Sequence, residues 1–228
     1  MPRHFMMTPD SDMADAAVPT PTAPRTRRKP QARSLERRRA ILDATRELLE
    51  TTTISDLSLY QVADKAEIPP SSLYHFFPKV DVLLGALVEE IFTEFDTIMN
   101  EPLDTDAIHH WTDITRQLQA RFVAYYREHK YVRDLILGQH VISTIRHADY
   151  MHDDLLGRRI REYHEQLFQL PPLPKAYNIF AVALQVADKV YAISYQEYGN
   201  ITEELAREGR RAAQAYLGLY LPEVMPKR

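Results

Sequence analysis

Basic side chains are concentrated in one short stretch near the beginning of the chain. Positions 25–39 hold eight arginine or lysine residues against the single acid Glu36, a net charge of +7. Positions 81–228 hold 16 basic and 22 acidic residues, a net charge of −6. A basic end on an acidic body indicates a polyanionic partner for that end alone. We therefore expect Arg37 and Arg38 to face DNA phosphates, with a solubilising charge run as the alternative.

A second group of polar side chains follows, with a spacing typical of two short helices. Ser58 and Gln61 are spaced as a capping box, in which each side chain caps the other residue's backbone N–H, so a helix begins here. Pro69 and Pro70 prevent this helix from continuing, and a second helix is expected to begin near Pro70. Leu73 and Phe77 would point inward. Two short helices at a steep angle predict a helix-turn-helix.

The chemistry of this unit suits duplex DNA. Hydroxyl and ammonium groups contact phosphates and fix the register on DNA, whereas base edges are read in the major groove. The phosphate candidates are Ser58, Tyr74 and Lys79. The candidates for base edges are Pro70, Ser71, Ser72 and His75, together with Tyr60 on the first of the two helices. Because this second helix has no Arg, Asn or Gln, we expect modest discrimination per half-site, supplemented by two-fold pairing and DNA shape.

The sequence VADKAEIPPSSLYHFFPKVDVLL at positions 62–84 resembles the DNA-binding domain of the tetracycline-repressor (TetR) family. The resemblance extends over positions 34–84. It implies an all-α transcription regulator with an N-terminal three-helix helix-turn-helix domain and a C-terminal helical bundle for ligand binding and dimerisation. It also implies a double-stranded DNA operator, a homodimer formed through the last two helices, and a repressor released by a small-molecule effector.

Three positions depart from the family pattern. Glu67 stands where the family usually has glycine, and Pro69 stands where a capping serine or threonine is usual. Lys79 lies one position before the usual lysine, whose place is taken by Val80. A non-glycine residue at positive φ costs about 1 kcal/mol, which favours another turn geometry at Glu67.

The chain is expected to divide into three parts. Positions 1–33 are rich in proline and alanine without periodicity, which predicts a disordered basic arm; it either drapes over DNA or remains a solvated tail. Positions 34–80 form the DNA-binding domain, with Ser34 capping its first helix. Positions 81–228 form the ligand-binding and dimerisation bundle. Its first helix is expected to run from Pro78 to about Asn100 as a stiff rod, and the next to start at Asp104.

The body also has many aromatic residues at helical spacing, which indicates either a plain core or a ligand pocket. An effector there would be a small apolar or amphipathic molecule. The candidate ligand residues are Trp111, Phe122, Tyr126, Gln139, His140, His147, Tyr150, Phe180 and Tyr191. The alternative is a protein of the same type without an inducer, acting as a nucleoid or protein-interaction factor. A filled core would favour this alternative, whereas an enclosed cavity with polar groups would favour induction.

The last two helices, at about 175–198 and 202–221, carry small and apolar residues that let another helix approach closely. They are expected to pack against their copies in a dimer, although both helices could instead cover the core of a single chain. The candidate interface residues are Phe180, Leu184, Tyr191, Leu205, Gly209, Ala212, Ala213 and Tyr216.

Several classes of function are not indicated by the sequence. The chain has no cysteine, which excludes disulfides and thiolate chemistry. It shows neither a G-x-S-x-G motif nor an H-E-x-x-H pair, and His147 and His152 do not form a recognised ligand spacing. We therefore expect no enzyme activity, no metal and no cofactor. No apolar run approaches membrane-spanning length, so we expect a cytoplasmic protein without membrane contact.

Overall fold

The computed structural model describes residues 28–138 and 143–228. These residues form an all-α fold without β-strands in the described ranges. A 3-10 turn lies at Ile54–Asp56, and a π-helical segment, Arg133–Leu137, continues directly from α6. The helices are α1 (Arg28–Thr51), α2 (Leu59–Lys65), α3 (Pro70–Phe76), α4 (Val80–Asn100), α5 (Trp111–Glu128), α6 (Lys130–Val132), α7 (Ser143–Leu167), α8 (Ile179–Tyr198) and α9 (Glu203–Leu217).

The predicted capping box starts α2. The backbone N–H of Gln61 donates to Ser58 Oγ at 3.3 Å, and Ser58 N–H donates to Gln61 Oε1 at 2.9 Å. Helix α3 begins at Pro70, as expected, because proline at the first helical position loses no intrahelical hydrogen bond. Leu73 and Phe77 are buried in the core of the domain. The two helices thus form the predicted helix-turn-helix.

The turn between α2 and α3 keeps a left-handed residue despite the lack of glycine. Glu67 has φ of 53°, a conformation that is unfavourable for a residue with a Cβ atom. The expectation of another turn geometry was therefore wrong. Ile68 N–H donates to Ala63 O at 3.0 Å, which shows that the chain reverses as a glycine-containing turn would.

Helix α1 begins seven residues earlier than predicted, since a cap at Ser34 would place its first residue at Leu35. It starts at Arg28, so Ser34 lies inside the helix and cannot cap it. Positions 28–33, which were predicted to be the end of a disordered arm, therefore belong to α1 and are helical. Pro30 lies in the first turn, where its missing N–H has no intrahelical acceptor to lose. The remainder of the predicted arm, positions 1–27, lies outside the described residues.

Helix α4 joins the helix-turn-helix to the bundle. Its 21 residues correspond to about 30 Å at the usual rise, and it ends at Asn100 as predicted. Leu84 and Leu87 lie near its beginning, and Ile91 and Phe95 lie further along the buried face. The helix packs against α1, α5 and α7, so it contacts both the DNA-binding domain and the body.

Helices α5–α9 form the body. Helix α5 begins at Trp111 rather than at Asp104, because His110 and Asp113 form a capping box there and the Gln117 side chain holds the Asp104 backbone in a loop. Gly157 lies within α7, where a Cβ would come within 2.5 Å of Ala181 N, so it permits close packing against α8. No helix in the described ranges is both long and apolar enough to cross a bilayer.

Candidate DNA-reading surface and effector cavity

The outer face of α3 is polar and exposed. Ser71, Tyr74 and His75 are exposed, Pro70 is exposed at the helix start, and Ser72 is partly buried. Leu73, on the opposite face, is fully buried and fixes the orientation of the helix. The structure thus leaves the predicted base-reading residues on one outward surface.

An open cleft separates this surface from the basic part of α1. Its volume is about 580 Å³. Helix α1 contributes basic side chains to one wall, and α3 contributes hydroxyl and imidazole groups to the other. The residues that line it are Arg33, Ser34, Arg37, Pro69, Ser71, Ser72, His75 and Phe76. The sequence did not place Arg33 and Ser34 beside α3, because the helical extension of α1 was not foreseen.

The remaining candidate DNA residues do not line this cleft. Tyr60 on α2 and Tyr74 on α3 form an exposed edge-to-face pair with ring centroids 6.2 Å apart. The Arg38 guanidinium lies 5.8 Å from the centre of the Phe77 ring, which holds this exposed arginine against α3. Lys79 is exposed immediately before α4. Ser58 Oγ is held by Gln61, at 2.8 Å from its Oε1 atom.

A separate site lies inside the body, where α4, α5, α7 and α8 meet. An enclosed cavity of about 20 Å³ is lined by aromatic and aliphatic side chains together with Gln119 and three aspartates. A second enclosed cavity of about 20 Å³ lies next to it, lined mainly by apolar side chains that include Phe122 and Phe180. Cavities of this size hold about one water molecule each. An open cleft of about 300 Å³ lies on the outer side of the same aspartates.

The three aspartates, which we call the carboxylate cluster, are Asp149 and Asp153 on α7 and Asp188 on α8. All three line both the enclosed cavity and the open cleft. Burial raises the pKa of Asp149 to about 6. Burial is the main cause, and repulsion from Asp149 the second, of a rise in the pKa of Asp153 to about 8. A hydrogen bond from Gln185 lowers this pKa and offsets part of the rise. Burial and the other two aspartates also raise the pKa of Asp188. No basic group among the described residues counters these rises.

The predicted ligand residues have mixed outcomes. Phe122, Tyr126 and Tyr191 line the enclosed cavity, and Phe180 lines its neighbour. Trp111 was misplaced: it is buried elsewhere, with its indole N–H donating to Pro222 O at 3.1 Å.

Two candidates on α7 were also misplaced. His147 and Tyr150 are exposed, because they lie on the side of α7 away from the cavity. Gln139 and His140 lie outside the described residues. The sequence missed the carboxylate cluster and Gln119, although Asp149 and Asp153 are four apart and therefore share one face of a helix.

Part of the predicted dimer interface is buried within the chain itself. Phe180, Tyr191 and Ala213 are at most 2% exposed. Gly209 is buried against Tyr191, since a Cβ there would lie 2.4 Å from the Tyr191 ring. These four positions pack α8 and α9 together inside one chain and were wrongly assigned to a subunit contact. The other four candidates, Leu184, Leu205, Ala212 and Tyr216, are partly exposed.

One contact joins α7 to α4, the helix that leads to the DNA-binding domain, and another joins the body directly to the end of α1. His152 on α7 stacks on Phe92 of α4, with ring centroids 4.2 Å apart. Lys130 Nζ donates to Leu49 O at 2.8 Å at the end of α1, and it pairs with Asp134 Oδ2 at 2.7 Å. Asp134 in turn accepts a hydrogen bond from Tyr195 of α8. Among the described residues, no group of three His, Asp or Glu side chains is arranged to hold a metal ion.

Three comparisons with known proteins were informative to different degrees. No family model matches the chain, whereas one curated relative and several solved structures do. The HTH-type transcriptional regulator EthR of Mycobacterium tuberculosis is 29% identical over 103 residues, which cover 43% of this chain. The match spans 48% of EthR, about half the length of this curated relative.

Solved structures extend the likeness to most of the chain. A TetR-family regulator from Streptomyces coelicolor has a TM-score of 0.62 and 23% identity, covering 82% of this chain and 98% of its own. Thermus thermophilus FadR, a TetR-family repressor in complex with lauroyl-CoA, has a TM-score of 0.58 and 15% identity, covering 82% of this chain and 97% of its own. The chain has the fold of the TetR-family transcriptional regulators, and the resemblance seen in its helix-turn-helix is confirmed.

Proposed function

We propose that this protein is a DNA-binding transcriptional regulator of the TetR type, and specifically a repressor that a small molecule releases from its operator. The observation that supports this function best is the exposed polar face of α3 beside the basic cleft of α1. A cleft with arginine on one wall and hydroxyl groups on the other suits a phosphate backbone whose bases lie in the adjacent major groove.

The DNA contacts divide by position. Arg37, Arg38 and Lys79 supply positive charge at the rim, where phosphates of the groove would pass. Tyr74 offers its hydroxyl group to the same backbone. Ser58 would do so by exchanging its hydrogen bond to Gln61 Oε1 for one to a phosphate. Base edges are left to the residues on the outer face of α3, namely Pro70, Ser71, Ser72 and His75, with Tyr60 beside them.

A homodimer would place two such surfaces on one duplex. Two copies of α3 must then lie one helical turn apart, roughly 34–36 Å, or a multiple of that. The partly exposed candidates Leu184, Leu205, Ala212 and Tyr216 support a contact through α8 and α9. Ile193, on α8, is 44% exposed and adds apolar surface to the same helix pair.

Release would begin at the site between α7 and α8. A ligand there would shift α7, and the stack of His152 on Phe92 would pass the shift to α4. The contacts of Lys130 with α1 and Asp134 provide a second route. The ligand must bind the DNA-incompetent state more tightly, since equal affinity for both states shifts nothing.

One observation, the small size of the enclosed cavities, supports the alternative of a DNA-binding protein without an inducer. Each holds about 20 Å³, too little for an effector without rearrangement. The buried polar groups and the 300 Å³ cleft favour induction instead. A protein whose operator affinity no small molecule changes would conform to the alternative.

The DNA-binding function is tested by a tyrosine replacement with a matched control. Tyr74→Ala should weaken binding to all duplexes by a similar factor, because a phosphate contact carries no sequence information. Tyr198→Ala removes another exposed tyrosine, at the end of α8, and should leave binding unchanged. Fluorescence anisotropy with the gene's upstream duplex and a random duplex measures both. Equal affinities for DNA in all three proteins would argue against this surface.

A further inference from the structure

The carboxylate cluster has an unusual position for three acidic groups. Asp149 and Asp153 project from one face of α7 toward Asp188 on α8, at the boundary between the enclosed cavity and the open cleft. Asp153 is only 7% exposed. Like charges four apart on a helix destabilise it, and burial without a positive partner adds to that effect. Packing of the bundle alone gives no reason for three carboxylates here.

Two further polar atoms point into the same cavity. Gln119 Oε1 and the Tyr191 hydroxyl are buried and have no hydrogen-bond partner among the described residues. Gln119 is 6% exposed, Tyr191 is 2% exposed, and both line the cavity. Buried polar groups are normally paired, because leaving one unpaired costs free energy. These two atoms therefore indicate a missing hydrogen-bonding partner rather than a finished core.

The chemistry of the missing partner follows from the lining. Ionised carboxylates and an amide oxygen accept hydrogen bonds, so a partner that donates N–H groups and carries positive charge satisfies them best. Phe95, Phe122 and Tyr126 form aromatic walls, and aromatic faces attract cations. The described residues form no group arranged to hold a metal ion, whereas these walls suit the hydrocarbon part of an organic molecule.

We propose that the carboxylate cluster binds the ammonium group of a protonated organic amine, whose apolar part occupies the adjoining cleft and enters the aromatic cavity only when the surrounding helices rearrange. This assignment names the effector class for the site and rests on the proposed regulatory function. Gln119 Oε1 accepts an N–H of the amine, and the Tyr191 hydroxyl completes the ring of polar contacts. A cleft of about 300 Å³ has room for the apolar part of a small organic molecule.

Binding is coupled to protons. Burial raises the pKa of each carboxyl group in the cluster, so part of the cluster is protonated at neutral pH. A bound ammonium favours the ionised carboxylates, and the displaced protons pass to the buffer. The other ionisable or charged groups around the cluster are Tyr126 of α5, Tyr191 of α8, and Arg146 and Lys189 at the exposed rim of the cleft. Amine affinity therefore rises with pH through the titration of Asp153, near pH 8.

The experiment compares three probes of matched shape on the full-length protein: 2-phenylethylamine, 2-phenylethanol and 3-phenylpropanoate. Isothermal titration calorimetry near pH 8, in two buffers of different ionisation enthalpy, gives the affinity and the number of protons released. The amine should bind at least about tenfold more tightly than the alcohol, with net proton release, and the carboxylate should bind most weakly.

Charge-neutral variants identify the site. Asp153→Asn and Asp188→Asn keep the side-chain shape, remove charge repulsion and so should fold, and each should weaken amine binding at least about tenfold. Glu162→Gln removes one exposed acid from the same helix α7 and should bind the amine like the wild type. Amine binding no tighter than alcohol binding, or unchanged in Asp153→Asn, would overturn the assignment.

The DNA readout separates this inference from the function on which it rests. Amine binding that leaves operator affinity unchanged would support the site and contradict its role in release. Conversely, release by a neutral or anionic molecule, with no amine binding at the cluster, would support induction and overturn the amine assignment.

Discussion

The imidazole of His152 lies nearly parallel to the ring of Phe92, with centroids 4.2 Å apart and an interplanar angle of 11°. Burial lowers the pKa of His152, and Asp96 opposes this only in part, so the stacked ring is neutral at pH 7. His152 is adjacent to Asp153 of the carboxylate cluster, whereas Phe92 belongs to the helix that continues to the DNA-binding domain. The stack thus links the neighbour of a cluster residue to the helix that leads to the DNA-binding domain.

Loss of this stack should destabilise the protein. His152→Ala removes a buried ring from between α4 and α7 and should lower the free energy of unfolding by about 1–3 kcal/mol. His147→Ala removes an exposed histidine from the same helix and should change it by less than about 0.5 kcal/mol. Urea denaturation measures both. Equal effects of the two replacements would mean that the stack contributes nothing.

The carboxylate cluster should make stability fall as pH rises. The pKa of Asp153 is about 8 in the folded protein and near 3.8 in the unfolded chain. Between these values the unfolded chain gives up a proton that the folded protein keeps, so rising pH favours unfolding. Asp153→Asn does not titrate and should be more stable than the wild type near pH 8, by about 1–3 kcal/mol, with the gain lost near pH 4.

The matched control for this pH dependence is Glu162→Gln, an exposed acid on the same helix. Its stability relative to the wild type should not vary between the two pH values. Chemical denaturation of all three proteins across this range gives the comparison. A gain in Asp153→Asn that persists at low pH would show that charge is not its cause.

The strained turn of the helix-turn-helix offers a third prediction. Glu67→Gly relieves the positive φ and should stabilise the protein by about 0.5–1 kcal/mol. Asp64→Gly introduces the same residue three positions earlier, inside α2, and should destabilise it by a similar amount. Thermal unfolding of both variants checks the two signs, and destabilisation by Glu67→Gly would contradict the strain.

Local signals in the sequence were sufficient for the DNA-binding unit. The capping box at Ser58 and the proline pair at the start of α3 fix helix ends through contacts between near neighbours in sequence. The outward face of α3 then follows from the burial of Leu73 and Phe77. The early start of α1 was missed because its arginine-rich first turns were interpreted as part of an arm.

The site in the body could not be predicted to the same extent. Asp188 meets Asp149 and Asp153 only because α7 and α8 pack together, and their separation in sequence contains no hint of this contact. The small residues of α9 were interpreted as a surface for a second chain, whereas Gly209 accommodates the ring of Tyr191 of the same chain. A pattern of small residues predicts close packing but does not identify the partner.

The packing of Gly209 gives a fourth prediction. Gly209→Ala places a methyl group against the buried Tyr191 ring and should lower the free energy of unfolding by about 1–3 kcal/mol. Gly85→Ala, in α4, meets no atom within 4 Å and should be neutral or stabilising. The loss in Gly209→Ala should not depend on protein concentration. If the decrease in the free energy of unfolding disappeared at high protein concentration, Gly209 would instead lie in a subunit interface.

The salt dependence of DNA binding tests the central claim most directly. Affinity for the gene's upstream duplex should fall linearly with salt on logarithmic axes and exceed affinity for random DNA. Arg37→Ala should reduce the slope by about one, because it removes one phosphate contact from the α1–α3 cleft. Arg211→Ala, an exposed arginine on α9, should keep the wild-type slope. Binding that is independent of salt, or a slope that Arg37→Ala leaves unchanged, would contradict DNA recognition at this surface.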